Sequence, residues 1–247
     1  LFLIPFVLIL KLKFPKEKQI WLIMFFASIL NTTIPFSLIN YGQQYISSRM
    51  SALMIGFGPF IALILGHFLI NDEKFKTFKL ISVIFGFIGL ILLVGENILV
   101  FDFLQFKGQF AVFCAAICYV SASILIRKIS GVSSVMLSFM LFGFSTFTLL
   151  PFVYDIPIGI TNIFDESLLA LIYLGIFPTA LAAIYRIRMV QSIGVQFMVQ
   201  VSYLIPIFAL FWAWLILDEI PKVSSILALV FILTGLYIGK RNETNKI

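Results

Sequence analysis

Apolar stretches of membrane-crossing length follow one another along almost the whole chain, separated by short polar breaks. Read as helices, they cover 1–10 in part, then about 21–40, 48–70, 77–95, 108–126, 134–154, 167–187, 191–217 and 223–239. About 30 Å of hydrocarbon takes roughly 20 helical residues to cross. The breaks are short, so neighbours in sequence should be antiparallel neighbours in space. One pattern occurs twice within this alternation: an apolar run with a proline, an acidic pair at its end, then a second apolar run with a glycine. The first copy uses Pro59, Asp72-Glu73 and Gly89, and the second uses Pro206, Asp218-Glu219 and Gly235. Each copy spaces its glutamate and glycine sixteen residues apart, so the halves read as an internal duplication.

Composition fixes the solvent. The chain is 62% hydrophobic and only 11% charged, whereas charged residues approach about a quarter of a soluble domain. A polytopic helical membrane protein is the reading that accommodates this. The net charge of +6 does not point to nucleic acid, because the basic residues sit in clusters between apolar runs. One side collects Lys11, Lys13, Lys16, Lys18, Lys74, Lys76, Lys79, Arg127, Lys128, Arg186, Arg188, Lys240, Arg241 and Lys246. The other side has Arg49, Lys107 and Lys222. Fourteen against three assigns the first side, and the C-terminus, to the cytoplasm.

That assignment puts Asp72-Glu73 inside and Asp218-Glu219 outside, so the two copies are inverted. Inversion needs an odd number of spans per half. The second half has five and the first shows three and a fragment, so about one and a half spans are expected before Leu1.

The stretches "SALMIGFGPFIALILGHFLINDE" with "GFIGLILLVG", and "QFMVQVSYLIPIFALFWAWLILDE" with "ILTGLYIGK", resemble the EamA-type permeases of the drug/metabolite transporter superfamily. The resemblance implies an all-α polytopic bundle of ten helices as two inverted five-helix repeats, with the first helix and part of the second absent from this chain. Residues 1–95 would be the first repeat (helices 2–5), 108–240 the second (helices 6–10), and 241–247 a cytoplasmic tail. It also implies a secondary transporter of small organic metabolites such as amino acids, in a bacterial-type cytoplasmic membrane. No cofactor or nucleic-acid partner is expected; a small-molecule metabolite and the lipid bilayer are, and a homodimer is left open.

Polar side chains inside spans should face the bundle interior. Thr33, Ser37, Asn40 and Gln44 recur at steps of four, three and four, and Gln196, Gln200 and Tyr203 share a helix face in the second half. Gln44 and Gln191 each lie fifteen residues before Pro59 and Pro206. The two stripes are candidate substrate-binding surfaces; the other reading is that they tie helices together. Pro35, Pro59, Pro178 and Pro206 are candidate hinges or fixed kinks. Gly58, Ala62 and Gly66, together with Gly89 and Gly235, suit close helix contacts. The acidic pairs lie at helix ends and suit stabilisation by the following helix's dipole rather than proton coupling.

An enzyme is not expected: HExxH, GxSxG and clustered His or Asp are absent, and His67 is the only histidine. Cys114 and Cys118 read as packing residues, with no metal site. The rival readings are a multidrug or cationic-compound exporter, which normally carries a membrane-embedded carboxylate, and a non-transporting membrane scaffold.

Overall fold

The computed structural model describes residues 2–94, 103–153, 166–204, 208, 211–212, 214–215 and 223–241. Pro206 and the Asp218-Glu219 pair lie outside the described residues. Those described are helical throughout, joined by turns. After α1 (Leu3–Ile9), α2 (Lys18–Ser28) runs through a π-helical turn (Ile29–Thr33) into α3 (Ile34–Gly42). Then come α4 (Ser48–Ile55), α5 (Gly58–Leu69), α6 (Thr77–Val94), α7 (Phe103–Arg127) and α8 (Ser134–Val153). Next, α9 (Glu166–Leu174) passes through a second π segment (Gly175–Leu181) into α10 (Ala182–Ser192), followed by α11 (Val195–Val201) and α12 (Val223–Arg241).

Five helices or helix runs among the described residues are long and apolar enough to cross a membrane: Lys18–Gly42, Met50–Leu69, Gln105–Arg127, Ser134–Pro151 and Leu168–Ser192. Thr77–Leu93 and Val223–Gly239 are shorter apolar helices. Large side chains such as Phe68, Phe147, Leu171 and Ile226 point outward, as a surface against lipid tails requires.

Proline chemistry explains where the expected spans are interrupted. The run expected over 48–70 breaks at Gly56 and Phe57, and Pro59 falls in the first turn of α5, where its missing N–H is not needed. Pro178 sits within the second π segment, where Thr179 Oγ1 also donates to Leu174 O at 2.8 Å. Pro35 follows the first π segment directly. Shifting Ile29–Thr33 by the 147 residues that separate Pro59 from Pro206 lands on 176–180, within the second π segment.

Packing centres on α7, which contacts α2, α3, α4, α5, α10 and α11. It buries Ala116, Val120 and Ile124 against Met24, Leu137, Leu141 and Ile187 of neighbouring helices. A second cluster, Leu53, Leu90, Tyr203 and Ile232, lies by the α6–α12 contact. Glycines set that approach: a Cβ on Gly235 would stand 2.7 Å from Ser82 O, and one on Gly89 2.7 Å from Ala228 O. The bundle therefore uses small residues to bring backbones together where lipid gives no hydrophobic drive.

Candidate functional site

One end of the bundle is fastened by the first acidic pair. α11 starts after Gly194, whose φ of 112° suits glycine and whose added Cβ would lie 2.6 Å from Glu73 Oε1. The buried Glu73 carboxylate accepts from Val195 N at 2.6 Å and Gln196 N at 2.9 Å. It satisfies two orphan amides at the positive end of that helix. The helix it caps is thus not α6, which follows it in sequence, but one from the other half of the chain.

Beside it, Arg127 Nη2 meets Asp72 Oδ2 at 2.6 Å. Nη1 of the same guanidinium donates to the carbonyls of Val190 and Gln191. Gln191 Nε2 returns to Ile129 O at 3.1 Å. Asp72 is partly buried, which pushes its carboxyl upward, but the hydrogen bond and positive charge of Arg127 outweigh this and hold it below its ordinary range. His67 also belongs to the fastening: Nδ1 accepts from Phe75 N at 3.1 Å.

The second polar stripe lies along a seam between α11 and the first half of the chain. Gln196 Nε2 donates to Pro59 O at 3.3 Å, Gln200 Oε1 accepts from Ser82 Oγ at 3.1 Å, and Tyr203 Oη donates to Gly56 O at 3.1 Å. The Gly56 carbonyl is available because Phe60 N, its expected partner, bonds to Phe57 O instead. All three side chains are buried, and Gln196 Oε1 has no partner among the described residues. The first stripe behaves differently. Thr33 Oγ1 pairs with Thr148 Oγ1 at 2.8 Å and Ser37 Oγ bonds to its own helix at Thr33 O, while Asn40 and Gln44 are exposed.

A third polar group had no prominence in the sequence. Arg186, counted above among charges facing the cytoplasm, turns into the bundle: Nη2 donates to Asn31 Oδ1 at 2.5 Å and Nη1 to Ser123 Oγ at 3.4 Å. Asn31 belongs to the first π segment and Ser123 to α7, so three spans meet here. Hydropathy cannot tell an arginine that reaches outward near a helix end from one that reaches inward. The available signal was its position within α10, six residues before Ser192.

Among the described residues no cluster of His, Cys, Asp and Glu could hold a metal ion, and Cys114 and Cys118 are free thiols. The arrangement binds polar groups inside an apolar bundle; it holds no nucleophile with a base beside it.

Residues 1–95 and 106–239 match the EamA-like transporter family. The chain belongs to that family. It is a membrane transporter and not an enzyme. It is 22% identical over 243 residues to the uncharacterized transporter YoaV of Bacillus subtilis (strain 168), covering 97% of this chain and 82% of that protein. To the uncharacterized transporter YdfC of the same bacterium it is 24% identical over 253 residues, covering 99% of this chain and 80% of that protein. A protein of known crystal structure superposes with a TM-score of 0.80 at 16% identity, over 96% of this chain and 82% of that one; this likeness shows the fold.

Proposed function

We propose that this EamA-family protein is a secondary transporter that moves small polar organic metabolites, amino acids among them, by alternating access between two inverted repeats. The repeats are residues 1–95 and 108–240, with 241–247 as a tail, in a bacterial-type cytoplasmic membrane with the C-terminus inside. The observation that carries this reading is the meeting of polar side chains from three spans, Asn31, Ser123 and Arg186, inside an apolar bundle. Polar and ionisable groups at membrane depth are expensive and mark solute pathways. Asn31 lies in one of two π segments that correspond under the repeat shift, and π turns recur at functional sites.

In this reading Thr33, Ser37, Asn40 and Gln44 lead from the open end of the bundle toward the polar group. Gln196, Gln200 and Tyr203 form the seam along which the repeats move. Gln196 has acceptor capacity left for a solute, since its Oε1 is unbonded among the described residues. The Asp72–Arg127 and Glu73–α11 contacts close the other end in this conformation. Pro35, Pro59, Pro178 and Pro206 are the proposed bending points.

The test is counterflow of amino acids, nucleosides and other polar metabolites into vesicles carrying the full-length protein. Saturable uptake that falls in Asn40→Ala and Gln200→Ala, both still inserted, is the expected result. Wild-type uptake in both variants would remove the two stripes from the pathway. Selective movement of apolar cations would favour the multidrug reading, and uptake of no solute at all would favour the scaffold.

A further inference from the structure

We propose that Arg186 is the group that recognises the transported solute, and that it does so by pairing with a carboxylate. This rests on the transport reading above and adds the chemical class of the ligand.

Depth comes first. Asn31 lies thirteen residues after Lys18 and eleven before Gly42, at the middle of a 25-residue span. A guanidinium 2.5 Å from its Oδ1 is therefore near the middle of the membrane. Arginines close to helix ends normally reach back to the interface. Arg186 does not: helical side chains lean toward the N-terminus, and in α10 that direction leads away from Ser192 and into the bundle.

Its partners come next. Asn31 and Ser123 orient the guanidinium, but both are neutral, and together they take only two of its five N–H groups. Helices α2, α3, α7, α8, α10 and α11 and both π segments contain no Asp or Glu. The acids at the bundle end are engaged elsewhere, Asp72 with Arg127 and Glu73 with the amides of α11. Among the described residues Arg186 forms no ion pair.

An isolated arginine at the helix centre is costly in the membrane. Here it is held in place by hydrogen bonds, and no described residue compensates its charge. The missing counter-charge is one that arrives with the solute, and the planar fork of arginine fits a carboxylate through two parallel hydrogen bonds. Arg186 is half-buried as a residue, as are Asn31 and Tyr119, which lies one helical turn before Ser123 on α7.

The experiment is thermal unfolding of the purified full-length chain with matched acid and amide probes: leucine and leucinamide, benzoate and benzamide, succinate and succinamide. At least one acid should raise the melting temperature while its amide does not. Arg186→Gln should weaken the apparent affinity for that acid roughly tenfold or more, the loss expected for a charged hydrogen-bonded partner. Arg186→Lys should retain part of it, and Arg188→Gln, on the exposed side of α10, should leave it unchanged. Asn31→Asp gives Arg186 a carboxylate from the protein itself. That variant should melt no lower than wild type yet lose the response to the acid, which keeps the test open should Arg186→Gln fold poorly.

Equal shifts by acid and amide, wild-type affinity in Arg186→Gln, or no shift from any acid would overturn the assignment. Counterflow of the same probes separates the two claims. Uptake of the amides alone leaves a transporter without carboxylate recognition. Acid binding with no uptake leaves the recognition and removes the transport reading.

Discussion

Arg127 and Arg186 stand on packed helices, α7 and α10, yet their environments are opposite. Arg127 ends its helix, meets the Asp72 carboxylate and takes two backbone carbonyls, so its charge is matched. Arg186 reaches to mid-membrane depth and finds an amide and a hydroxyl. Both count as one positive charge in a loop tally. What separates them is whether the described residues supply the anion: the first fastens the bundle end, and the second is left with a charge to share.

The strongest way to break this contrast is at the fastened end. Glu73→Ala removes the cap from two buried amides of α11 and should cost about 2–4 kcal/mol of stability. Thermal or denaturant unfolding in detergent reads it, and a wild-type melting temperature would mean the end is not held this way. Away from both arginines, Gly235→Ala forces a methyl to 2.7 Å from Ser82 O and 2.8 Å from Gly86 N. It should lower stability by about 1–3 kcal/mol through overpacking, while the preference of acid over amide persists in the same melting assay. Loss of that preference would tie recognition to the α6–α12 seam.

The smallest effect concerns Asp72, whose side chain is 62% exposed. Solvent screening keeps its pairing below about 1 kcal/mol. Its folded pKa is depressed from 3.8, so the contribution is present above that value and fades as pH falls through the lower folded one. Asp72→Asn should flatten this acid limb in a pH series of melting curves, and an unchanged limb would assign it to other carboxylates.

The sequence carried the helical class, the five long apolar runs among the described residues and the packing glycines, because hydropathy and small-residue spacing are local properties. It also indicated that Asp72 and Glu73 serve structure. It did not show that Glu73 caps a helix 122 residues away, since which helix end approaches a carboxylate is a matter of folding and not of spacing. The π segments were invisible for a related reason: their hydrogen-bond shift leaves no hydropathy signal, although Pro178 next to Thr179 marks one of them. In the candidate stripes, spacing found the shared face of Gln196, Gln200 and Tyr203. It could not reveal that each already has a partner in the other half. Arg186 was obscured by its own charge, which read as topology because direction along a helix is not written in composition.

The most direct measurement compares Arg127→Met with Arg186→Met for both melting temperature and acid counterflow. A buried charge without a counter-ion can be replaced by an apolar side chain at little or no loss of stability, whereas removing Arg127 takes the guanidinium donor from the Val190 and Gln191 carbonyls. Arg186→Met should therefore melt at or above wild type while acid uptake falls roughly tenfold or more. Arg127→Met should melt lower yet still discriminate acid from amide. Acid uptake at the wild-type level in Arg186→Met would contradict the account at its centre.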